Sequence, residues 1–156
     1  MQTNGADLFA GLSPLDSAAV LALGTPLSLA AGAVLFGLGS DADCLYLIRR
    51  GRIALMLPMQ LGDRDEDVLI EERVPGQTVG WSALIPPHRF TLTATAPLPT
   101  ELTVFRRDAL FAHCAQHPDV GYVIGMNVAA VIGQRLQVFQ TMWLREMQRV
   151  VNHARA

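Results

Sequence analysis

The sequence predicts an α+β domain: an all-β body, whether sandwich, barrel or roll, between a short N-terminal helix and a long C-terminal one. Three observations predict it. From Leu27 to about Phe105 the chain runs in short apolar bursts separated by glycines and turn residues, the spacing of short strands. Before them, Ser13-Pro14-Leu15-Asp16 is a helix start signal. After them, apolar residues recur at helical and heptad intervals as far as Val151.

Length and composition set the bounds. A chain of 156 residues is expected to form one domain, with enough core to bury roughly two-thirds of its unfolded surface. It is 51% hydrophobic and only 17% charged, which argues for a packed core and against a disordered tail. A mean hydropathy of +0.29 suggests further apolar surface buried between subunits. The net charge of −2 and the pI near 6.0 give no basic face for nucleic acid. The cations are arginines, placed singly or in pairs such as Arg49-Arg50 and Arg106-Arg107. Cys44 and Cys114 have no CxxC spacing and read as small buried hydrophobes. Asp7 falls early and no basic stretch precedes an apolar one, so no signal peptide is expected and a cytoplasmic location is. Ser17 to Ser40 carries no charge and is long enough to cross a bilayer, but its glycines and Pro26 break it, so short buried strands are expected and no membrane span.

The N-terminal helix is expected within residues 7–24. Ser13 caps it, Pro14 fits its first turn, and Asp16 answers the cap and the positive end of the dipole. Gly24-Thr25-Pro26 ends it. The β body spans 27–105, with bursts at Val34–Phe36, Cys44–Ile48, Ile53–Leu57, Val68–Ile70, Thr91–Ala96 and Leu102–Phe105. Arg50-Gly51-Arg52 reads as a tight hairpin with Gly51 at positive φ. Gly62 to Asp67 reads as an exposed hairpin tip, its carboxylates lacking the spacing of a calcium loop. Residues 107–153 are helical: a short helix from Arg107 to Gln116, broken before Pro118, then a long one from Asp119 to about Val151. At 1.5 Å per residue the long helix would reach about 45 Å, more than a globule of this size needs. Its stripe includes Ile132, Leu136, Phe139, Trp143 and Met147, and a homodimer along it is the expected arrangement.

A second pattern concerns ligands. Val74-Pro75-Gly76 ends a strand, and Gly80-Trp81-Ser82-Ala83-Leu84 makes a turn of mostly small residues, a way to bring backbone N–H groups to an anion. Upstream lie Gly32, then Phe36, the acidic turn at Asp43, Leu45-Tyr46-Leu47-Ile48, Gly51 and a β-branched strand start at Ile53. This series and the order of elements resemble the sensor domain of the cyclic-nucleotide-binding superfamily of catabolite activators and redox regulators. The resemblance covers nearly the whole chain. It implies a β-roll, a double-stranded jelly-roll-like barrel, followed by a dimerising helix. It places a ligand cassette at Gly80, Trp81, Ser82, Ala83 and Leu84, completed by Arg89, Phe90 and Thr91.

The departures from that family bear on function. Nucleotide-binding members follow the cassette glycine with a Glu that holds the ribose 2′-hydroxyl, and here that place is Trp81. The Arg that pairs with the cyclic phosphate falls, by counting from Gly80, at Phe90, with Arg89 one position before it. A one-residue slip in a strand sends a side chain to the opposite face. Two missing charge-assisted contacts, each worth about 1.5–3 kcal/mol, would weaken binding about a hundredfold to ten-thousandfold. The backbone N–H groups of Ser82, Ala83 and Leu84 are then the remaining anion site.

β-rolls also resemble metal-binding cupins, but His88, His113, His117 and His153 form no HxH pair. His113 and His117 lie one helical turn apart without further evident ligands, so no metal is expected. No catalytic triad order, P-loop or paired catalytic carboxylates stand out, so an enzyme is not expected either. The sequence therefore predicts a stand-alone sensor with a divergent cassette, taking a cyclic nucleotide or another small anion. It would signal through its long helix to a separate effector protein. With no helix-turn-helix following the long helix, direct DNA binding is not expected. The rival reading is a ligand-free roll acting as an interaction scaffold.

Overall fold

The computed structural model of the chain describes residues 6–154. A 3-10 turn at Asp7–Phe9 precedes helix α1, Pro14–Leu21. The strands are β1 Thr25–Leu29, β2 Val34–Phe36, β3 Cys44–Arg50, β4 Ile53–Leu61, β5 Arg64–Arg73, β6 Thr78–Val79, β7 Thr93–Thr95 and β8 Thr100–Arg106. Helices α2, Arg107–Gln116, and α3, Pro118–Ala154, close the chain. The strands form two antiparallel four-stranded sheets, ordered β1-β8-β3-β6 and β2-β7-β4-β5. This is the β-roll with a short N-terminal and a long C-terminal helix.

Strand β3 divides the interior by parity, since successive side chains point to opposite faces. Leu45 and Leu47 go to a cluster with Leu8, Phe9, Val20, Phe105, Leu110, Ile124 and Val128, which seats the helices on the roll. Tyr46 and Ile48 go to the roll's own core with Phe36, Ile53, Leu55, Phe90, Leu92 and Leu102.

Four local expectations are corrected. The N-terminal segment is two pieces, because a turn at Ala10 and Gly11 separates the 3-10 turn from α1. Ser13 caps α1 as expected: its Oγ accepts from the Asp16 N–H at 3.1 Å and donates to Asp16 Oδ2 at 2.6 Å. Thr25-Pro26, expected to end the helix, opens β1, paired to Val104 and Thr103. Arg50-Gly51-Arg52 is tight, but β3 and β4 lie in different sheets, so the turn carries the chain across the roll and makes no hairpin. Gly51 has φ +85°, and a Cβ there would sit 2.6 Å from the Pro99 carbonyl, so both conformation and space demand glycine. Finally, the acidic tip is shorter than expected. Leu61 pairs with Arg64, leaving Gly62 and Asp63 as the loop and placing Asp65, Glu66 and Asp67 on β5.

Candidate functional site

The cassette lies where β6 leaves the first sheet. Gly80 follows β6 with φ +86°, and its missing side chain lets the chain pass Cys44 O, Tyr46 and Phe90, each of which a Cβ would meet at 3.0–3.3 Å. Trp81–Ala83 then form one 3-10 turn, with Ser82 and Ala83 buried. Two of the three backbone donors expected to face an anion are already spent. Ala83 N–H donates to Gly80 O at 3.0 Å and Leu84 N–H to Trp81 O at 2.9 Å. The His88 ring closes the loop, its Nδ1 lying 3.0 Å from Ala83 O.

Arg89 and Phe90 take opposite faces. Arg89 points outward, its side chain 60% exposed, donating to Gly39 O at 2.9 Å and lying 3.4 Å from Asp41. Phe90 points inward and is buried, stacked on Phe36 with ring centroids 3.7 Å apart and planes within 8°. Phe36 stacks in turn on Tyr46 at 5.9 Å. Burial pushes the Tyr46 phenol up to about 12, so it stays neutral. What remains between cassette and roll is a cavity of about 10 Å³, bordered by Gly80, Trp81, Ser82, Phe90 and the exposed Thr91. The structure thus gathers every candidate except Ala83, Leu84 and Arg89 around one cavity, and the aromatic stack nearly fills it.

One lining residue went unread in the sequence. Arg135, on α3, borders the same cavity and is only 8% exposed. Its Nε and Nη2 both reach Glu71 Oε2 at 3.3 Å. Glu71 Oε1 accepts from Arg73 Nη1 at 2.9 Å, and Arg73 Nη2 donates to Asp7 Oδ2 at 2.8 Å. Asp7 Oδ2 also accepts the Thr78 N–H at 3.1 Å. An alternating chain of four charges therefore ties the N-terminal turn, β5 and α3 to the strand that carries the cassette. Burial lowers the Arg135 guanidinium from its ordinary value, against the pull of Glu71. The signal was present in the sequence. Val120, Ile124, Val128, Val131 and Arg135 follow one helical stripe, and only the last is polar.

The outer face of α3 differs from this stripe. Ile132 packs with the helix-seating cluster and Phe139 against the roll core. Leu136, Trp143 and Met147 are exposed, at 57%, 63% and 43%. Both cysteines are unpaired, and burial raises their thiols, which keeps them protonated at neutral pH. The His113 and His117 rings lie 4.6 Å apart, but no group of three His, Cys, Asp or Glu side chains able to hold a metal occurs among the described residues.

The sequence model of the cyclic nucleotide-binding domain matches residues 26–117, more than half of the chain. The chain belongs to the cyclic nucleotide-binding domain family. A cyclic nucleotide-binding-like protein from Brucella abortus is 30% identical over 70% of this chain and 90% of its own, with a TM-score of 0.59. The Thermus thermophilus catabolite activator protein superposes with a TM-score of 0.74 at 24% identity, over 92% of this chain and 63% of its own. The sensor domain of the transcriptional regulator DNR from Pseudomonas aeruginosa has a TM-score of 0.66 at 20% identity, covering 86% and 88% of the two chains. These last two share the fold. Comparison with curated proteins gives no match. The cyclic nucleotide-binding domain is a regulatory, ligand-binding family, which fits this chain as a sensor or regulatory domain. No described helix is long and apolar enough to cross a membrane.

Proposed function

We propose that this cyclic nucleotide-binding domain is a cytoplasmic small-molecule sensor that reports the state of its cassette through α3. One observation carries the reading: Arg135, a residue of the long helix, borders the cassette cavity. A cavity of about 10 Å³ is at the lower limit for one water. A larger occupant has to move part of this lining, which includes the Phe36–Phe90 stack and Arg135, and that supports a coupling of entry to helix position. The ligand would be a cyclic nucleotide or a related small anion, and the output would pass to a separate effector protein.

Thermal unfolding with cyclic AMP, cyclic GMP and cyclic dinucleotides at millimolar concentration tests the reading. A ligand at a hundredfold its Kd stabilises the fold by about 2.7 kcal/mol, a readily measured rise in Tm. A second reading has its own observation in the filled cavity: a ligand-free roll that serves as an interaction scaffold. No shift with any of these compounds would favour it.

Both readings use a homodimer along the exposed face of α3. Leu136, Trp143 and Met147 form an apolar strip too exposed for one chain to hold in water at no cost. Leu136→Asp combined with Met147→Asp places two like charges in that strip and is expected to convert a dimer to a monomer in light scattering. An unchanged mass would remove α3 as the interface.

A further inference from the structure

The segment that follows the cassette supplies no inward cation: Phe90 occupies the inner face and Arg89 lies in solvent. The long helix does supply one. Arg135 is more than nine-tenths buried beside Gly80, Trp81 and Ser82. Its only hydrogen-bond partner among the described residues is Glu71 Oε2, reached at 3.3 Å by Nε and Nη2, and its Nη1 makes no hydrogen bond there. Glu71 is shared, its other oxygen held more closely by Arg73 at 2.9 Å. Trp81, which also lines this cavity, has a buried indole N–H with no partner among the described residues. Buried donors are ordinarily satisfied, and an unpartnered indole N–H on one lining residue with a loosely held guanidinium on another fits an acceptor that comes and goes. A guanidinium offers a planar fork of donors that matches a phosphate oxygen pair.

We propose that Arg135 is the phosphate anchor of this sensor, a cation delivered to the cassette by the signalling helix, and that the ligand's phosphodiester replaces Glu71 as its partner. The proposal rests on the sensor reading above and sharpens it. In the closed state Glu71 holds Arg135 as an internal stand-in for the ligand. When the phosphodiester takes the guanidinium, Glu71 keeps Arg73, and α3 is released from β5 and held by the ligand instead. Ligand binding and the tie between α3 and β5 then share a single side chain.

Thermal unfolding of the full chain with cyclic AMP, cyclic GMP and cyclic di-GMP, in wild type, Glu71→Gln, Arg135→Gln and Arg89→Ala, tests it. Glu71→Gln removes the competing charge and is expected to tighten binding about tenfold. Arg135→Gln is expected to weaken it about ten- to a hundredfold, the value of a charge-assisted contact. Arg89→Ala is expected to leave it unchanged. A shift that survives undiminished in Arg135→Gln, or that is lost in Arg89→Ala, overturns the anchor and leaves the sensor reading standing. Should Arg135→Gln fail to fold, the side-chain Nε–H resonance of Arg135 in the wild-type protein decides: it must move on adding cyclic AMP, and a stationary resonance overturns the proposal. No shift in either wild type or Glu71→Gln overturns both the anchor and the sensor.

Discussion

Replacing Phe90 with alanine is expected to cost about 3 kcal/mol of stability and to lower the Tm by roughly 6–12 °C. The ring is buried and lies flat on Phe36 at 3.7 Å, so its removal forfeits both area burial and an aromatic contact. The neighbours cannot collapse freely into the gap. Gly80 has no side chain to swing into it, and Phe36 is held by its second stack on Tyr46. The same variant enlarges the cassette cavity. If the stack is what excludes ligands, Phe90→Ala starts less stable than wild type but gains more from cyclic AMP in a melting series. An equal or smaller gain would mean that the stack is not the gate.

Arg73→Ala is expected to be as damaging, at about 3–5 kcal/mol. Its side chain is 4% exposed and joins two carboxylates from distant parts of the chain, at 2.8 Å to Asp7 and 2.9 Å to Glu71. Truncation leaves the Asp7 carboxylate with the Thr78 N–H as its remaining hydrogen-bond partner and removes the ion pair between the N-terminal turn and β5. The pair of Arg89 with Asp41 is the contrast, since both side chains are more than half exposed. Solvent screens that pair, and Arg89→Ala should leave the melting temperature where it is. Chemical denaturation of the two variants side by side checks the difference. A loss of less than 1 kcal/mol in Arg73→Ala would mean that relaxation or water replaces the cation.

The parts of the fold that follow from local rules were legible. Ser13, Pro14 and Asp16 define the start of α1 by chemistry confined to one turn. Gly80 marks a point where backbone must pass close to another strand, and the alternation through Leu45, Tyr46, Leu47 and Ile48 separates two cores. The parts that depend on distant pairing were not. Gly51 announces a tight turn, but whether the next strand returns to the same sheet is decided by β7 and β8, far along the chain. The orientation of Arg89 and Phe90 turns on one residue of register after the Pro86-Pro87-His88 turn, where strand counting gives no answer. Arg135 is the instructive omission. A helix stripe announces itself by its apolar members, and a lone arginine on the body-facing side passes as a surface residue until Glu71 is seen opposite it.

Beyond Phe139, every described side chain of α3 stands in solvent. From there to Ala154 the helix runs roughly 20 Å past the body at 1.5 Å per residue. A free helix of that length is marginal in water. In the proposed homodimer its permanence would depend on company, and company on how many copies of the chain a cell holds. Abundance would then be an input alongside the proposed ligand: a scarce protein would fray at the arm, and a plentiful one would present it whole.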